Sequence, residues 1–181
     1  MAFRLFGRRD EQAKSQELAP RPATISNPVV ATSDFDMLGP ILWQDIRFGM
    51  SLSEVRAIRP EVVRPTDDTR LGDGTMAELE IPRLRLADHD YRVLIYARAE
   101  RVVQVTISTL GGPTQYDFQQ LTGALRLRYG QEVEMNEDPD GLSSAEWLSP
   151  EGINVSLVCF PGAGILNVVF QNRYSEAARQ L

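Results

Sequence analysis

Tyr91-Arg92-Val93-Leu94-Ile95-Tyr96-Ala97-Arg98, followed after a short turn by Val103-Gln104-Val105-Thr106-Ile107-Ser108, is the stretch that decides the fold class. Successive strand side chains point to opposite faces, so apolar residues at every second position mark a sheet with one covered face. Tyr91, Val93, Ile95 and Ala97 fall on that face, and Val103, Val105 and Ile107 continue it. The connection Ala97–Arg101 is too short to carry a crossover helix, so the two strands are expected to be antiparallel. Leu79 and Ile81, alternating with charges upstream, supply a third strand, which Pro82 is expected to end.

Working outward, Gly111-Gly112-Pro113 breaks the sheet and Thr114 is placed as a helix N-cap with Asp117 at N3. Phe118, Leu121, Leu125 and Tyr129 then form one apolar stripe, and Gly130 is the expected stop. A polar loop from Glu134 to Gly141 leads into a second set of alternating positions: Ala145 and Trp147, then Ile153, Val155, Leu157 and Cys159, then Leu166, Val168 and Phe170. Turns are expected at Ser149–Gly152 and Pro161–Gly164. Before the first sheet segment, Ser51 and Glu54 make a capping box for a short helix in which Leu52, Val55 and Ile58 take helical spacing, and Pro60 follows as a stop signal. Residues 61–76 have loop composition.

These elements predict an α+β fold: an antiparallel sheet of about six strands with two helices on one face. The folded unit is expected over 38–174, behind a flexible tail at 1–37 that holds Pro20, Pro22 and Pro28, and before a terminal stretch at 175–181. Helix-plus-three-strands occurs twice, over 48–110 and 113–172, which suggests a tandem repeat. Arg92–Ile95 aligns with Asn154–Leu157, and Val102–Val105 with Leu166–Val169.

A net charge of −6 argues against nucleic acid, whose phosphates need a basic face. One histidine and one cysteine fall short of a structural zinc site. His89, between Asp88 and Asp90, has no serine or cysteine nucleophile context, and Cys159 falls at an inward strand position. Asn136-Glu137-Asp138-Pro139-Asp140-Gly141 matches the first half of a calcium loop, but Trp147 stands where the bidentate glutamate belongs. Gly72-Asp73-Gly74 and Gly162-Ala163-Gly164 lack the strand–loop–helix setting of a phosphate loop. No cofactor and no catalysis are expected from this inventory.

The chain has no run of ~18 apolar residues and no signal-type segment, so a cytoplasmic location is expected. Phe3, Leu5 and Phe6 beside Arg4, Arg8 and Arg9 could form a short amphipathic segment. In a second reading, that segment attaches the chain to the periphery of an anionic inner membrane or to a docking partner.

The outward positions of the strands carry Leu94, Tyr96, Gln104 and Thr106 in the first half, and Asn154, Ser156, Asn167 and Gln171 in the second. An uncharged face with an aromatic residue suits a protein partner. The leading expectation is therefore a non-enzymatic protein-binding module that uses this open face as an adaptor, inhibitor or assembly factor.

Phe48-Gly49-Met50-Ser51-Leu52-Ser53-Glu54-Val55 resembles the Gly-Met-Ser/Thr-x-x-x-Val helix start of the small bacterial envelope proteins of the BamE/SmpA type. The tandem helix-plus-sheet layout is similar to the β-lactamase-inhibitor-protein fold. The resemblance implies a bacterial, non-catalytic protein that binds other proteins. It carries over no functional residue, since helix capping and packing explain Gly49, Met50, Ser51 and Val55.

Overall fold

A computed structural model describes residues 38–86, 89–138 and 141–173. The candidate attachment segment Phe3, Arg4, Leu5, Phe6, Arg8 and Arg9 lies outside the described residues, as does the expected terminal stretch. The elements run β1 (Ile41–Trp43), β2 (Ile46–Arg47), α1 (Leu52–Ile58), β3 (Met76–Leu86), β4 (His89–Arg98), β5 (Arg101–Thr109), α2 (Gln115–Tyr129), β6 (Glu134–Asn136), β7 (Ser143–Leu148), β8 (Ile153–Phe160) and β9 (Ile165–Asn172). A single 3-10 turn, Pro161–Ala163, joins β8 to β9.

β3 to β9 form one seven-stranded antiparallel sheet in the order β3-β4-β5-β9-β8-β7-β6, while β1 and β2 pair separately. The expected α+β architecture is present, with one more strand in the main sheet than the alternation indicated. The extra strand is β6, a three-residue exposed piece whose Glu-Met-Asn composition reads as loop and which forms only by pairing with β7. β3 also runs past Pro82. A register shift between Ile81 and Leu84 accommodates the ring on this edge strand, where a missing N–H removes no ladder bond.

Both helix starts form as the sequence indicates. Ser51 Oγ accepts from the Glu54 amide while Glu54 Oε2 accepts from the Ser51 amide at 2.7 Å. Thr114 and Asp117 close the same reciprocal box on α2. Met50 and Val55 are both buried, completing the hydrophobic staple around α1. Gly49 takes a φ of 81°, a conformation that suits a residue without Cβ. Its amide donates to the Val102 carbonyl at 2.8 Å, and Val102 donates back to Met50 at 2.9 Å, so residues 49–52 lie beside β5 beyond the end of β9.

One face of the sheet carries the core. Val93, Ile95, Val105, Val155, Leu157, Cys159, Val168 and Phe170 meet Phe118 and Leu125 of α2, Leu52 and Val55 of α1, and Leu42, Trp43 and Ile46 of the β1–β2 hairpin. Trp147 is fully buried among them, and its Nε1–H donates to the Gly130 carbonyl at 3.0 Å. The described residues fall in a single compact unit.

The strand order is mirrored about the β5–β9 pair. The alignment of Arg92–Ile95 with Asn154–Leu157 keeps faces together, since Val93, Ile95, Val155 and Leu157 all enter the core. The alignment of Val102–Val105 with Leu166–Val169 does not. A bulge opposite Tyr96 and Ala97 sends Val102 into the core and Val103 to the opposite face, so Gln104 points outward where Val168 points inward. Val103 is thus on the face opposite to the one simple alternation assigns it.

Candidate functional site

Strand register fixes which residues stand together on the outer face. Tyr96, Gln104, Gln171, Asn154 and Leu148 lie opposite one another in turn across β4, β5, β9, β8 and β7. The next row is Leu94, Thr106, Val169, Ser156 and Glu146, and the third is Arg92, Ser108, Asn167, Val158 and Ser144. All eight outward residues singled out from the sequence therefore do share one face. An amide chain links its two halves: Gln171 Nε2 donates to Gln104 Oε1, and Gln104 Nε2 donates to Thr106 Oγ1 at 2.9 Å.

The halves differ in what covers them. The expectation of an open face fails at Leu94, Tyr96, Gln104 and Thr106, which are all buried, with Leu94 only 1% exposed. Residues 63–75 are responsible. Val63 pairs with Glu80 through two bonds of 2.8 and 2.9 Å, and Ala77 donates to the Thr69 carbonyl at 3.0 Å. Leu71 then packs over Ala77, Leu94, Tyr96 and Val103 as a second small apolar cluster. Asp67 is pinned by Arg92 Nη1, at 3.2 and 3.0 Å to its two oxygens, and this holds its carboxyl below the usual range. Burial pushes the Tyr96 phenol up.

Asn154, Ser156, Asn167 and Gln171 keep intermediate exposure on β8 and β9, outside the small cluster that Leu71 joins. Beside them Phe160 is 38% and Ile165 39% exposed, with Leu148 exposed at the other end of the same face. The sequence signal for these apolar residues was their place at outward positions, masked because each sits next to a turn. Between the covered and bare halves runs a groove of about 510 Å³, walled by Thr69–Gly72 on one side and Gly164–Asn167 on the other. Its charged lining residues, Arg70 and Arg92, are both cationic.

His89 stands elsewhere, at the start of β4. Its Nε2 is 2.8 Å from Asp117 Oδ1 in a cleft of about 250 Å³ that also includes Leu86, Tyr91 and Tyr116. The other Asp117 oxygen accepts from both the amide and the hydroxyl of Thr114, so the carboxylate is part of the helix cap. Cys159 lies close by but is fully buried, its Sγ 3.8 Å from the Thr114 carbonyl, and burial, with the Asp117 charge second, pushes its thiol up. A thiol raised in this way is a poor nucleophile.

Asn136 Nδ2 donates to the Leu142 carbonyl at 3.0 Å, and Asn136 itself belongs to β6, so the half calcium loop begins in a strand. No group of three or more metal-ligating side chains occurs among the described residues. Among them, too, no helix is long and apolar enough to cross a membrane.

No protein-family model, no curated protein and no solved structure matches this chain.

Proposed function

We propose that the chain is a non-enzymatic protein-binding module that works through the bare half of its outer sheet face, on β7, β8 and β9. One observation carries this reading. The same sheet face is sealed by the chain's own Leu71 over β4 and β5, yet Phe160, Ile165 and Leu148 stand exposed a few residues away. Exposed apolar side chains set among uncharged amides and hydroxyls have the make-up of a contact surface, which is depleted of charge at its centre. The cap role of Asp117 and the depth of Cys159 support the absence of catalysis. The mirrored strand order agrees with a duplication of residues 48–110 as 113–172, and the face match between β4 and β8 supports it.

Affinity capture with the full chain, run beside Ile165→Glu and Phe160→Glu, tests the reading. Both side chains are exposed, so the fold should tolerate the change. Loss of captured protein in the variants is expected. An unchanged set of captured proteins would overturn the choice of face.

A further inference from the structure

We propose that the partner of the bare face is a second copy of this chain, packed face to face about a two-fold axis that lies in the interface and runs along β9. The inference rests on the binding role proposed above for that face.

The first reason is the distribution of charge. On the β3–β4 side stands Arg70, exposed and with no ion-pair partner among the described residues. On the β6–β7 side stand Glu134 and Glu146, both exposed and likewise outside every ion pair among those residues. The strands between them carry uncharged outward residues. A two-fold along β9 lays the β4 of one copy over the β7 of the other and β3 over β6, because these pairs are equidistant from β9 in the sheet. Arg70 of each copy is then carried to the acidic edge of its mate.

The second reason is relief. The half over β4 and β5 is raised by Leu71 and its loop, and among the described residues the half over β7 and β8 carries no such cluster. The same two-fold sets each raised half on a bare one. The third reason is the composition of β9. Its outward residues Ile165, Asn167, Val169 and Gln171 lie on the axis and meet their own copies. An isoleucine or valine packs on itself, and an amide offers both donor and acceptor to its twin.

Strands sit ~4.8 Å apart and rise ~3.4 Å per residue, so this five-stranded face covers on the order of 500 Å² per copy. That is near the lower end of specific interfaces, and the expected dimer is reversible and of roughly micromolar affinity.

Sedimentation velocity of the full chain from about 1 to about 200 µM decides the matter. The wild type should shift from monomer to dimer across that range. Ile165→Glu, which sets two like charges on the axis, should stay monomeric with an unchanged far-UV spectrum. Arg70→Glu and Glu146→Arg should each weaken association about tenfold, and the double variant should restore it. A wild type that stays monomeric throughout overturns the inference, as does a dimer indifferent to Ile165→Glu or a double variant without recovery. If the wild type is monomeric while Ile165→Glu still abolishes capture of some other protein, the second-copy inference falls and the proposed face stands.

Discussion

His89 Nε2 lies 2.8 Å from Asp117 Oδ1, and this contact ties the start of β4 to the first turn of α2. With hydrogen on Nε2 the imidazole donates in either charge state. The two partners are not equally committed: His89 keeps 43% of its side-chain surface, whereas Asp117 keeps 5% and also caps the helix. Asp117→Ala should therefore cost about 1–3 kcal/mol, because it strands the Thr114 donors as well as the imidazole. His89→Ala should cost less than about 1 kcal/mol. Urea unfolding of both variants checks the order. Equal losses would mean that the histidine contact, not the cap, secures this corner.

Tyr96 is the aromatic residue that made the outer face look like a contact surface, yet it is 3% exposed under Leu71. Tyr96→Ala should act on stability, by about 3–5 kcal/mol from the cavity it leaves. In capture or sedimentation experiments on a folded fraction it should behave as wild type. A variant that kept full stability but lost association would return Tyr96 to the interface.

Period-two alternation tells which face a side chain joins, but not what later covers that face. Alternation puts Leu94, Tyr96, Gln104 and Thr106 on the correct side but does not disclose their burial, because the cover comes from residues 63–75, a stretch rich in Asp, Thr and Gly. A signal was present: beyond Val63 at its start, Leu71 is the one large aliphatic in that polar stretch, and Leu94 and Tyr96 are apolar at positions that water would otherwise fill. Capping boxes were fully legible, because all their partners lie within three residues. β6 was not, since a three-residue strand of Glu, Met and Asn owes its form to β7 alone. Likewise two of the acids that turn toward guanidinium groups, Asp67 to Arg92 and Glu132 to Arg126, come together by topology or by a turn that composition does not specify.

The β4–β5 turn is a second place where local preference loses to tertiary structure. Arg98 pairs with Arg101, leaving Ala99 and Glu100 as a two-residue loop with φ of 47° and 63°. That geometry favours Asn-Gly, and left-handed backbone costs ordinary residues ~1 kcal/mol or more each. The Leu52 amide, which donates to the Glu100 carbonyl at 3.1 Å, helps hold the loop in place. Ala99→Asn combined with Glu100→Gly should raise stability by about 1 kcal/mol, read as a higher urea midpoint with an unchanged slope. A lower midpoint would show that the Glu100 side chain matters to the α1 contact.

Acid sensitivity should concentrate on Glu132. Hydrogen bonding to Arg126, at 2.7 Å through Nε, is the main force that holds its carboxyl down to about 2, and a bond to its own backbone adds to it. Asp67 and Asp90 are lowered in the same sense by Arg92 and Arg83. A carboxyl depressed on folding favours the native state above the unfolded carboxylate range and loses that advantage as pH falls through its folded value. For Glu132 the window runs from roughly pH 4.5 down to about 2. The Arg126 side chain is 43% exposed, so water and salt screen the pair even though Glu132 itself is 6% exposed, and the effect should be modest. Glu132→Gln should lie below wild type in urea midpoint at pH 6, with the gap narrowing between pH 4.5 and 2.5. The same gap should shrink in 1 M salt at pH 6. A gap that persists unchanged to pH 2.5 would mean that the loss comes from packing of the buried stem, and that the Arg126 contact contributes little to the fold.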